Sequence, residues 1–536
     1  AIVVQDSPVF YHNAKPMGFA ILFTLSSVCF AFGLAGMCKR FLVWPASMIW
    51  PQNLVVCTLL NTLHAEEDSM KKEKRMSRYR YFMIVAVGAF CWNFVPNFLF
   101  TALSAFNWVC WIAPTNIYVN TLFGVNNGLG MSVLTFDWVQ ISYIGAPMIT
   151  PWWAVCNLMG GFTALVWLVY PILYFSNTWN FGYFPIMGAS SYDRFGKRYQ
   201  LSAVINPATL ELDREKYESY SPLYIAVNYY VVYWAGLAMA TAMLVHTALY
   251  HGKSILKGIR KGKIESDDIH ATMMRKYKEV PDWWYLAMLV VSFIAAVIAM
   301  EVYKIGLPIW ALLIALFLPA IYMLPAGFIF ATTGQILNIN LITELLSGHL
   351  LPNKPLPNMV FKAYALTGIN SGLTFVQDLK LGHYMKVPPR VSFAAQVIGT
   401  AWLCIVQIGV KQFMFSNVPN LCHPDEPHHF VCPNASTFFN SSLVWGVIGP
   451  KRMFGPGTPY ASLYYALLLG ALVPIPFWYM SKRFPTSQWK FVSFPLIFAG
   501  SMYIPPASGI NYTSFFLVAF LSREIFSGSR AGCARC

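Results

Sequence analysis

The stretch LPIWALLIALFLPAIYMLPAGFIF (307–330) decides the fold class of this chain, because none of its side chains is charged. About 20 apolar residues allow a helix to cross the roughly 30 Å hydrocarbon core of a bilayer. The run is continuous rather than alternating, which excludes a membrane strand. Similar runs lie near residues 17–36, 81–106, 158–175, 223–250, 284–302, 331–350, 359–377, 391–415, 460–480, 488–506 and 511–526. With two weaker, proline-broken runs at 43–63 and 131–157, they predict an all-α polytopic membrane protein of about 12–14 transmembrane or re-entrant segments.

The composition supports the same class. Of the 536 residues, 57% are hydrophobic and 11% are charged, and the mean hydropathy is +0.51, which is not the composition of a soluble protein. A net charge of +15 would suggest nucleic-acid binding in a soluble chain. Here the basic residues lie in short loops between apolar runs, so the positive-inside rule explains them without nucleic acid. Basic clusters within residues 71–80, 253–278 and 482–490 are therefore expected in the cytosol, and residues 176–222 and 416–458 are expected outside.

The segment GQILNINLITE (334–344) places polar groups inside an apolar run. If residues 331–350 form one helix, adjoining faces of that helix carry Thr333, Gln335, Asn338, Asn340, Glu344 and Ser347. A carboxylate at membrane depth costs several kcal/mol unless it is paired or protonated, and such residues tend to mark substrate paths or proton relays. The segment is thus a candidate substrate or proton pathway. The alternative is that Glu344 only ties helices together by hydrogen bonds.

Lys362 and Asp378 lie at opposite ends of the 359–377 run and are further candidates for this pathway. Lys362 has two candidate partners, Glu344 and a substrate carboxylate. A lysine near the end of a span usually extends its ammonium group to the membrane interface instead, and we expect this of Lys362. For His246, late in its span, we expect a packing role.

Two segments share the tripeptide Pro-Ala-Ser: FLVWPASMIWPQN (41–53) and YIPPASGINY (503–512). Prolines flanked by small and amide residues at membrane depth are typical of broken helices, whose freed backbone groups must face protein or a water-filled cavity. Paired breaks of this kind point to transporter binding sites. The candidate broken-helix residues are Pro45, Pro51, Asn53, Pro505, Pro506 and Asn511.

The loop CHPDEPHHFVC (422–432) contains metal-ligand residue types. Outside the cell, a disulfide between Cys422 and Cys432 is favoured over a metal site, because two cysteines with irregular histidines do not match a structural zinc spacing. Asn434 and Asn440 begin glycosylation acceptor patterns, which agrees with a lumenal position.

The sequence lacks the motifs of a nucleophile elbow, a zinc protease or a phosphate-binding loop, and it has no paired histidines with haem-like spacing. We therefore expect neither an enzyme nor an ATP-driven pump, and no cofactor. Transport by such a chain would be coupled to an ion gradient.

The segment DLKLGHYMKVPPR (378–390) packs charged and histidine side chains between two apolar runs, and its paired prolines predict a rigid, extended stop. Its end, Lys386-Val387-Pro388-Pro389-Arg390, resembles the Lys-Ile-Pro-Pro-Arg signature of the oligopeptide transporter (OPT) family, with valine in place of isoleucine. Further stretches resemble the same family in the expected order: residues 33–55, YIGAP (143–147) with PWW (151–153), ITE (342–344) and WGVIGPKR (445–452).

The resemblance covers nearly residues 10–522 and favours the peptide branch of fungi and plants over the yellow-stripe, metal-chelate branch. The family's Asn-Pro-Gly-Pro-Phe-Asn signature is absent, and the family's span number exceeds the one counted above. Both departures fit a chain without its first spans and its last one, so residues 1–526 are expected to form a single transporter domain that is incomplete at both ends. The tail SGSRAGCARC (527–536) is aberrant in composition, and its cysteines receive no role.

The resemblance implies a proton symporter, in the plasma membrane, that imports glutathione or small peptides of about three to five residues. The expected partners are thus peptides or glutathione, protons and the lipid bilayer. Glu344 would be the proton site or the partner of the peptide amine, and Gln335, Asn338 and Asn340 would bind the peptide backbone. Lys386 and Arg390 would act at the cytosolic mouth as a gate or a carboxylate relay.

Other classes make different demands on the chain. A metal-chelate transporter is the nearest alternative, since the fold would be shared and only the pocket would differ. A membrane-embedded enzyme would need a clustered nucleophile and base, and a lipid scramblase would show no saturable, proton-dependent uptake.

Overall fold

The computed structural model describes residues 10, 15–64, 76–125, 128–131, 133–188, 190–200, 203–204, 212–261, 269–422 and 432–533. The helices of the first half are α1 (Met17–Met37), α2 (Lys39–Leu42), α3 (Pro51–Leu63), α4 (Arg78–Phe94), α5 (Trp108–Ile112), α6 (Ile117–Phe123), α7 (Trp138–Ile141), α8 (Trp152–Phe162), α9 (Tyr170–Phe175), α10 (Arg214–Tyr220) and α11 (Val227–Lys261). Those of the second half are α12 (Ile269–Met274), α13 (Asp282–Val302), α14 (Ile309–Thr333), α15 (Asn340–Leu350), α16 (Pro355–Met385), α17 (Pro389–Asn417), α18 (Pro433–Ser442), α19 (Pro450–Phe454), α20 (Tyr465–Leu472), α21 (Pro474–Arg483), α22 (Phe494–Phe498) and α23 (Gly509–Cys533).

Irregular helical turns extend or join several of these helices. The π-helical segments are Val95–Leu99, Thr163–Val169 and Leu443–Ile448, and the 3₁₀ turns are Thr101–Leu103, Thr178–Tyr183, Ala461–Tyr464, Gln488–Phe491 and Ala499–Ser501. Two short strands, β1 (Ser191–Tyr192) and β2 (Tyr224–Ile225), pair antiparallel, with Ser191 opposite Ile225.

Eight helical stretches within the described ranges are long and apolar enough to cross a membrane. They are Met17–Met37, Arg78–Leu99, Trp152–Phe175, Val227–Arg260, Asp282–Val302, Ile309–Thr333, Pro389–Asn417 and Ala461–Arg483. This architecture confirms the predicted all-α polytopic class. Several of the other predicted segments are short or interrupted helices, of the kind that enter a membrane domain without crossing it.

The prediction of a single helix over residues 331–350 is wrong. α14 ends at Thr333, Gly334 follows in the left-handed conformation (φ 73°), and the chain becomes helical again only at Asn340. Glycine adopts this conformation without strain and so ends the helix. The Thr333 hydroxyl also accepts a hydrogen bond from the backbone N–H of Gln335 (3.1 Å), which satisfies one donor released by the break.

The polar segment 378–390 is also more helical than predicted. α16 continues through Asp378 to Met385, so the extended stop is confined to residues 386–388. Lys386 caps α16 in the left-handed conformation (φ 62°), and Pro389 occupies the first turn of α17, where its missing N–H costs no hydrogen bond. The predicted run 488–506 likewise contains only short helical turns, since prolines interrupt it.

Close helix contacts depend on glycine at a few positions. α1 packs against α13 and α16. A Cβ atom added to Gly36 of α1 would lie 2.0 Å from the ring of Tyr285 on α13. Where α8 meets α22, a Cβ atom on Gly161 would lie 1.9 Å from the carbonyl oxygen of Ile497. Small residues at such crossings let helix backbones approach closely inside a membrane, where no hydrophobic force drives helices together.

Candidate functional site

A cavity of about 730 Å³, called the central cavity below, lies among α11, α15, α16 and α18. The β1–β2 hairpin adds Ser191 and Ile225 to its wall. Its polar and aromatic lining includes Tyr229, Tyr233, Asn338, Asn340, Glu344, Lys362, Asn370, Phe438 and Ser441. The volume falls within the range of about 300–1,000 Å³ that is typical of small-molecule sites.

A buried ion pair lies in the wall of the central cavity. The Lys362 ammonium group donates a hydrogen bond to Oε1 of Glu344, and the Ser441 hydroxyl donates to the same oxygen. The two charged side chains are 4% and 1% exposed, and the ammonium group also lies 4.5 Å from the ring centroid of Phe438. The expectation that Lys362 extends to the membrane interface is therefore wrong. The attraction within a buried ion pair offsets the desolvation cost of both charges. Loss of one charge therefore leaves the other buried without compensation.

Three amide oxygens around the same cavity lack a hydrogen-bond partner. They are the buried Oδ1 atoms of Asn338, Asn340 and Asn370. A buried acceptor without a partner costs about 1–3 kcal/mol, so such atoms in a native structure call for an explanation. All three residues line the central cavity, so their unpartnered amide oxygens lie within its wall.

The helix break at residues 334–339 meets both of the other breaks predicted from the sequence. Gln52, one residue after Pro51, donates from its side chain to the carbonyl oxygen of Gly334 (3.1 Å). From the other side, the Tyr503 hydroxyl donates to the carbonyl oxygen of Ile336 (3.5 Å). The unwound backbone is thus held by protein groups at both ends, as membrane-depth backbone must be.

The other predicted broken-helix residues lie within or just after these two segments. Residues 43–50 separate α2 from α3 and contain Pro45, while Pro51 begins α3. The Asn53 side chain donates to the carbonyl oxygen of Gln377 on α16 (2.7 Å). Pro505 lines the central cavity, and Pro506 lies next to it in the turn before α23. Asn511, in the first turn of α23, donates a hydrogen bond to the side-chain oxygen of Gln140 (2.7 Å).

Two of the predicted pathway residues lie away from the central cavity. Gln335 is buried but does not line the central cavity. Its amide nitrogen packs against Gly145, where an added Cβ atom would lie only 2.5 Å away. Asp378 lies on the same helix as Lys362 but 16 residues further on, which is about 24 Å along α16. Its carboxylate accepts a hydrogen bond from Gln396 of α17 (2.8 Å).

The signature residues of the α16–α17 turn contact α12 and the segment between α12 and α13. Lys386 contacts Nδ1 of His270 on α12 (2.7 Å), and Arg390 donates to the carbonyl oxygen of Glu279 (3.2 Å). Pro388 and Pro389 set the turn between these two side chains. Burial raises the pKa of the Glu279 carboxyl group, although Lys39 opposes this effect. None of these side chains lines the central cavity.

Cys422 and Cys432 form a disulfide, with their Cα atoms 4.7 Å apart. Residues 423–431 and the side chains of Asn434 and Asn440 lie outside the described part of the chain. The backbone of both asparagines belongs to α18. Ser442, the third residue of the Asn440 pattern, is fully buried.

Three residues with roles at or near the site were not predicted from the sequence. Ser441 was assigned only to a glycosylation pattern, yet it binds Glu344. Asn370 lies eight residues after Lys362, so both face the cavity from one side of α16, and helical periodicity was the signal for it. Lys380, which is 1% exposed, donates to the carbonyl oxygens of Val43 (2.7 Å) and Pro45 (3.0 Å) and so caps the break after α2.

Comparisons with known proteins agree with this arrangement. The family model described as OPT oligopeptide transporter protein matches residues 1–525. Glutathione transporter 1 of Schizosaccharomyces pombe is 40% identical over 529 residues, which cover 97% of this chain and 62% of that protein. Oligopeptide transporter 1 of Saccharomyces cerevisiae is 36% identical, with 95% of this chain and 65% of that protein covered. Oligopeptide transporter 7 of Arabidopsis thaliana is 34% identical, with coverages of 97% and 68%.

The chain thus spans about two thirds of the length of these relatives. The names of these three relatives describe transporters and not enzymes. No solved structure shows a significant match. The match over residues 1–525, together with the membrane-spanning helices, confirms the resemblance first seen at residues 386–390: this chain is an integral membrane protein that belongs to the OPT oligopeptide transporter family.

Proposed function

We propose that this protein is a secondary active transporter of the plasma membrane that imports small peptides of about three to five residues, or glutathione, together with protons. The observation that carries the proposal is the buried Glu344–Lys362 pair beside three unpartnered amide oxygens in a cavity of about 730 Å³. The names of the relatives from Schizosaccharomyces pombe and Saccharomyces cerevisiae support this substrate class.

The chemistry of a peptide fits this lining. Its backbone N–H groups and its terminal ammonium group are donors, and the oxygens of Asn338, Asn340 and Asn370 are the matching acceptors. α15 begins at Asn340, so the positive end of its dipole faces the cavity and favours a carboxylate. The remaining wall is apolar and aromatic, which suits side chains of varied shape. The cavity therefore offers a partner for each end of a zwitterion.

The ion pair supplies a way to couple the peptide to a proton. While Glu344 is ionised, Lys362 is held by it and by Ser441. Protonation of Glu344 removes the negative charge and leaves the buried ammonium group without a counter-ion. A peptide carboxylate then replaces the lost charge, because a buried unpaired ammonium group is costly. Proton and peptide would therefore bind together.

Lys386 and Arg390 would act as a gate at the cytosolic mouth. Their contacts with His270 and with the backbone at Glu279 support a gate rather than a carboxylate relay, because they fasten the α16–α17 turn to α12 and to the segment between α12 and α13. Opening of the cytosolic side would break these contacts.

Uptake competition tests the proposal. Proteoliposomes containing the purified protein would be given radiolabelled tetra-alanine and a pH gradient, acidic outside. Saturable uptake that collapses with the gradient, and that unlabelled tetra-alanine or glutathione inhibits, is the expected result. Absence of gradient-driven tetra-alanine uptake, together with saturable uptake of a labelled iron or copper chelate under the same gradient, would replace peptide transport with metal-chelate transport.

A further inference from the structure

A second, smaller cavity shares helix α11 with the central cavity. This inner cavity, of about 250 Å³, is lined by residues 246–251 of α11, the end of α14 and residues 490–493. Its polar lining includes His246, Thr247, His251, Thr332, Thr333 and Lys490. The sequence predicted only a packing role for His246 and only a place in a basic cluster for Lys490.

The two cavities share two structural elements, one after the other. On α11, Tyr233 and Met239 line the central cavity, and His246 and His251 line the inner cavity. Met239 and His246 are seven residues apart, which is about 10 Å along one helix face. Met243, between them, is fully buried. One helix therefore lines both cavities, and the packed side chain of Met243 lies between its two lining regions.

The unwound segment 334–339 forms the second connection. Thr333, at its start, lines the inner cavity, and Asn338, near its end, lines the central cavity. Gly334 adopts a left-handed conformation at this junction. A non-helical segment lacks the hydrogen-bond ladder that makes a helix rigid, so it is the part of the wall best able to rearrange. It lies where a gate between the two cavities would have to lie.

The inner cavity also contains unused binding groups. The Thr247 hydroxyl is buried, with the residue 4% exposed, and it has no hydrogen-bond partner. Lys490 forms no ion pair with an acidic residue in the described part of the chain. The backbone that follows it is held by the Asn157 side chain of α8, which donates to the carbonyl oxygen of Phe491 (2.8 Å) and accepts from the N–H of Ser493 (2.9 Å). Lys490 is exposed, and its ammonium group lies 4.9 Å from the ring centroid of Phe491. A cation and an orphaned hydroxyl in the wall of one cavity are suited to a carboxylate.

We infer that the inner cavity is a second peptide site, which receives the carboxyl end of a peptide on its way from the central cavity to the cytosol. The inference rests on the proposed transport function. A volume of about 250 Å³ is below the usual range for a whole ligand, so the site holds a terminal residue rather than the complete peptide. Basic residues lie in the last turns of α11 and, before Lys490, at the end of α21, which favours a cytosolic position for this cavity.

Two substitutions test the inner cavity without touching the central one. Thr332→Trp fills the inner cavity, and Lys490→Met removes its cation. The matched controls are Ile321→Trp, on the exposed face of the same helix, and Lys482→Met, an exposed basic residue in α21. Binding of glutathione and of tetra-alanine to detergent-purified protein reports on the central cavity. Uptake into proteoliposomes, and efflux from preloaded ones, reports on the path to the cytosol.

Both test variants should bind peptide within about twofold of the wild-type Kd, since the central cavity is intact. Thr332→Trp should lower the uptake rate at least tenfold, and Lys490→Met should raise the KM for efflux of internal peptide about fivefold, a factor that corresponds to one lost charged contact. The controls should transport normally.

Normal transport by both test variants would overturn the inference, as would equal effects of test and control. If Thr332→Trp fails to bind peptide, the efflux KM of Lys490→Met decides. Absence of peptide binding and uptake in the wild type would instead overturn the proposed function, and the inference with it.

Discussion

Removing the charge of Glu344 alone should destabilise the protein, whereas removing both charges of the Glu344–Lys362 pair should not. Glu344→Gln keeps an oxygen that accepts a hydrogen bond from Ser441, but it leaves the Lys362 ammonium group buried without a counter-charge. Breaking a buried pair in this way costs about 3–5 kcal/mol. Because glutamine keeps the hydrogen bonds, we expect about 3 kcal/mol. Lys362→Met leaves an unpaired carboxylate with fewer donors, and we expect about 4–5 kcal/mol.

The double variant Glu344→Gln/Lys362→Met buries no net charge. Replacement of a buried ion pair by neutral groups of similar volume is often neutral or stabilising, so its stability should lie within about 1 kcal/mol of the wild type. The two single effects should therefore fail to add by several kcal/mol. Such non-additivity is the measure of a direct interaction between two residues.

Denaturant unfolding of the four proteins in a mild detergent at pH 7 measures the cycle. Glu301→Gln, an exposed carboxylate near the end of α13, is the control, and it should change the free energy of unfolding by less than about 0.5 kcal/mol. A double variant whose loss equals the sum of the single losses would refute the reasoning, because it would show that neither charge compensates for the other.

Other residues give sharper local tests. Asn338→Leu and Asn370→Leu should each weaken peptide binding about tenfold with little loss of thermal stability, because each removes an unpartnered acceptor rather than an existing hydrogen bond; lost stability with unchanged Kd would contradict this. Gly161→Ala should lower the unfolding temperature and the folded yield, because its Cβ atom would lie 1.9 Å from a backbone oxygen, whereas Gly160→Ala, with open space, should not; equal behaviour of the two variants would contradict the helix contact. Lys380→Met should cost about 3 kcal/mol in denaturant unfolding, since two charge-assisted hydrogen bonds to backbone carbonyls are lost, and a loss below about 0.5 kcal/mol would show that the break after α2 does not need this cap.

Much of the fold was accessible from the sequence because apolar runs and membrane thickness impose it. The long runs near residues 17–36, 284–302 and 307–330 became helices with bounds within a few residues of those expected. The interrupted helices were harder. Periodicity across residues 331–350 is that of a helix, and only Gly334, with the local hydrogen bond that Gln335 donates to the Thr333 hydroxyl, ends it. A single glycine is a weak signal when the flanking residues favour a helix.

The candidate site was predicted in part for the same reasons. Glu344, Asn338 and Asn340 were accessible because polar groups within an apolar run have few roles other than a buried network or a pathway. Lys362 was misassigned, because a lysine near the end of a span has a low-cost route to the interface unless a carboxylate lies opposite it in three dimensions. Ser441 comes from a segment distant in the chain, and no local pattern joins it to Glu344.

The central claim is that protonation of Glu344 releases Lys362 to bind a peptide carboxylate. The most direct measurement is proton movement during peptide uptake, followed with a pH-sensitive dye inside proteoliposomes that have no imposed gradient. In the wild type, addition of tetra-alanine outside should acidify the interior in proportion to the peptide taken up. Glu344→Gln should still exchange labelled peptide across the membrane, but without acidification. Acidification by Glu344→Gln at the wild-type ratio of protons to peptide would contradict the claim.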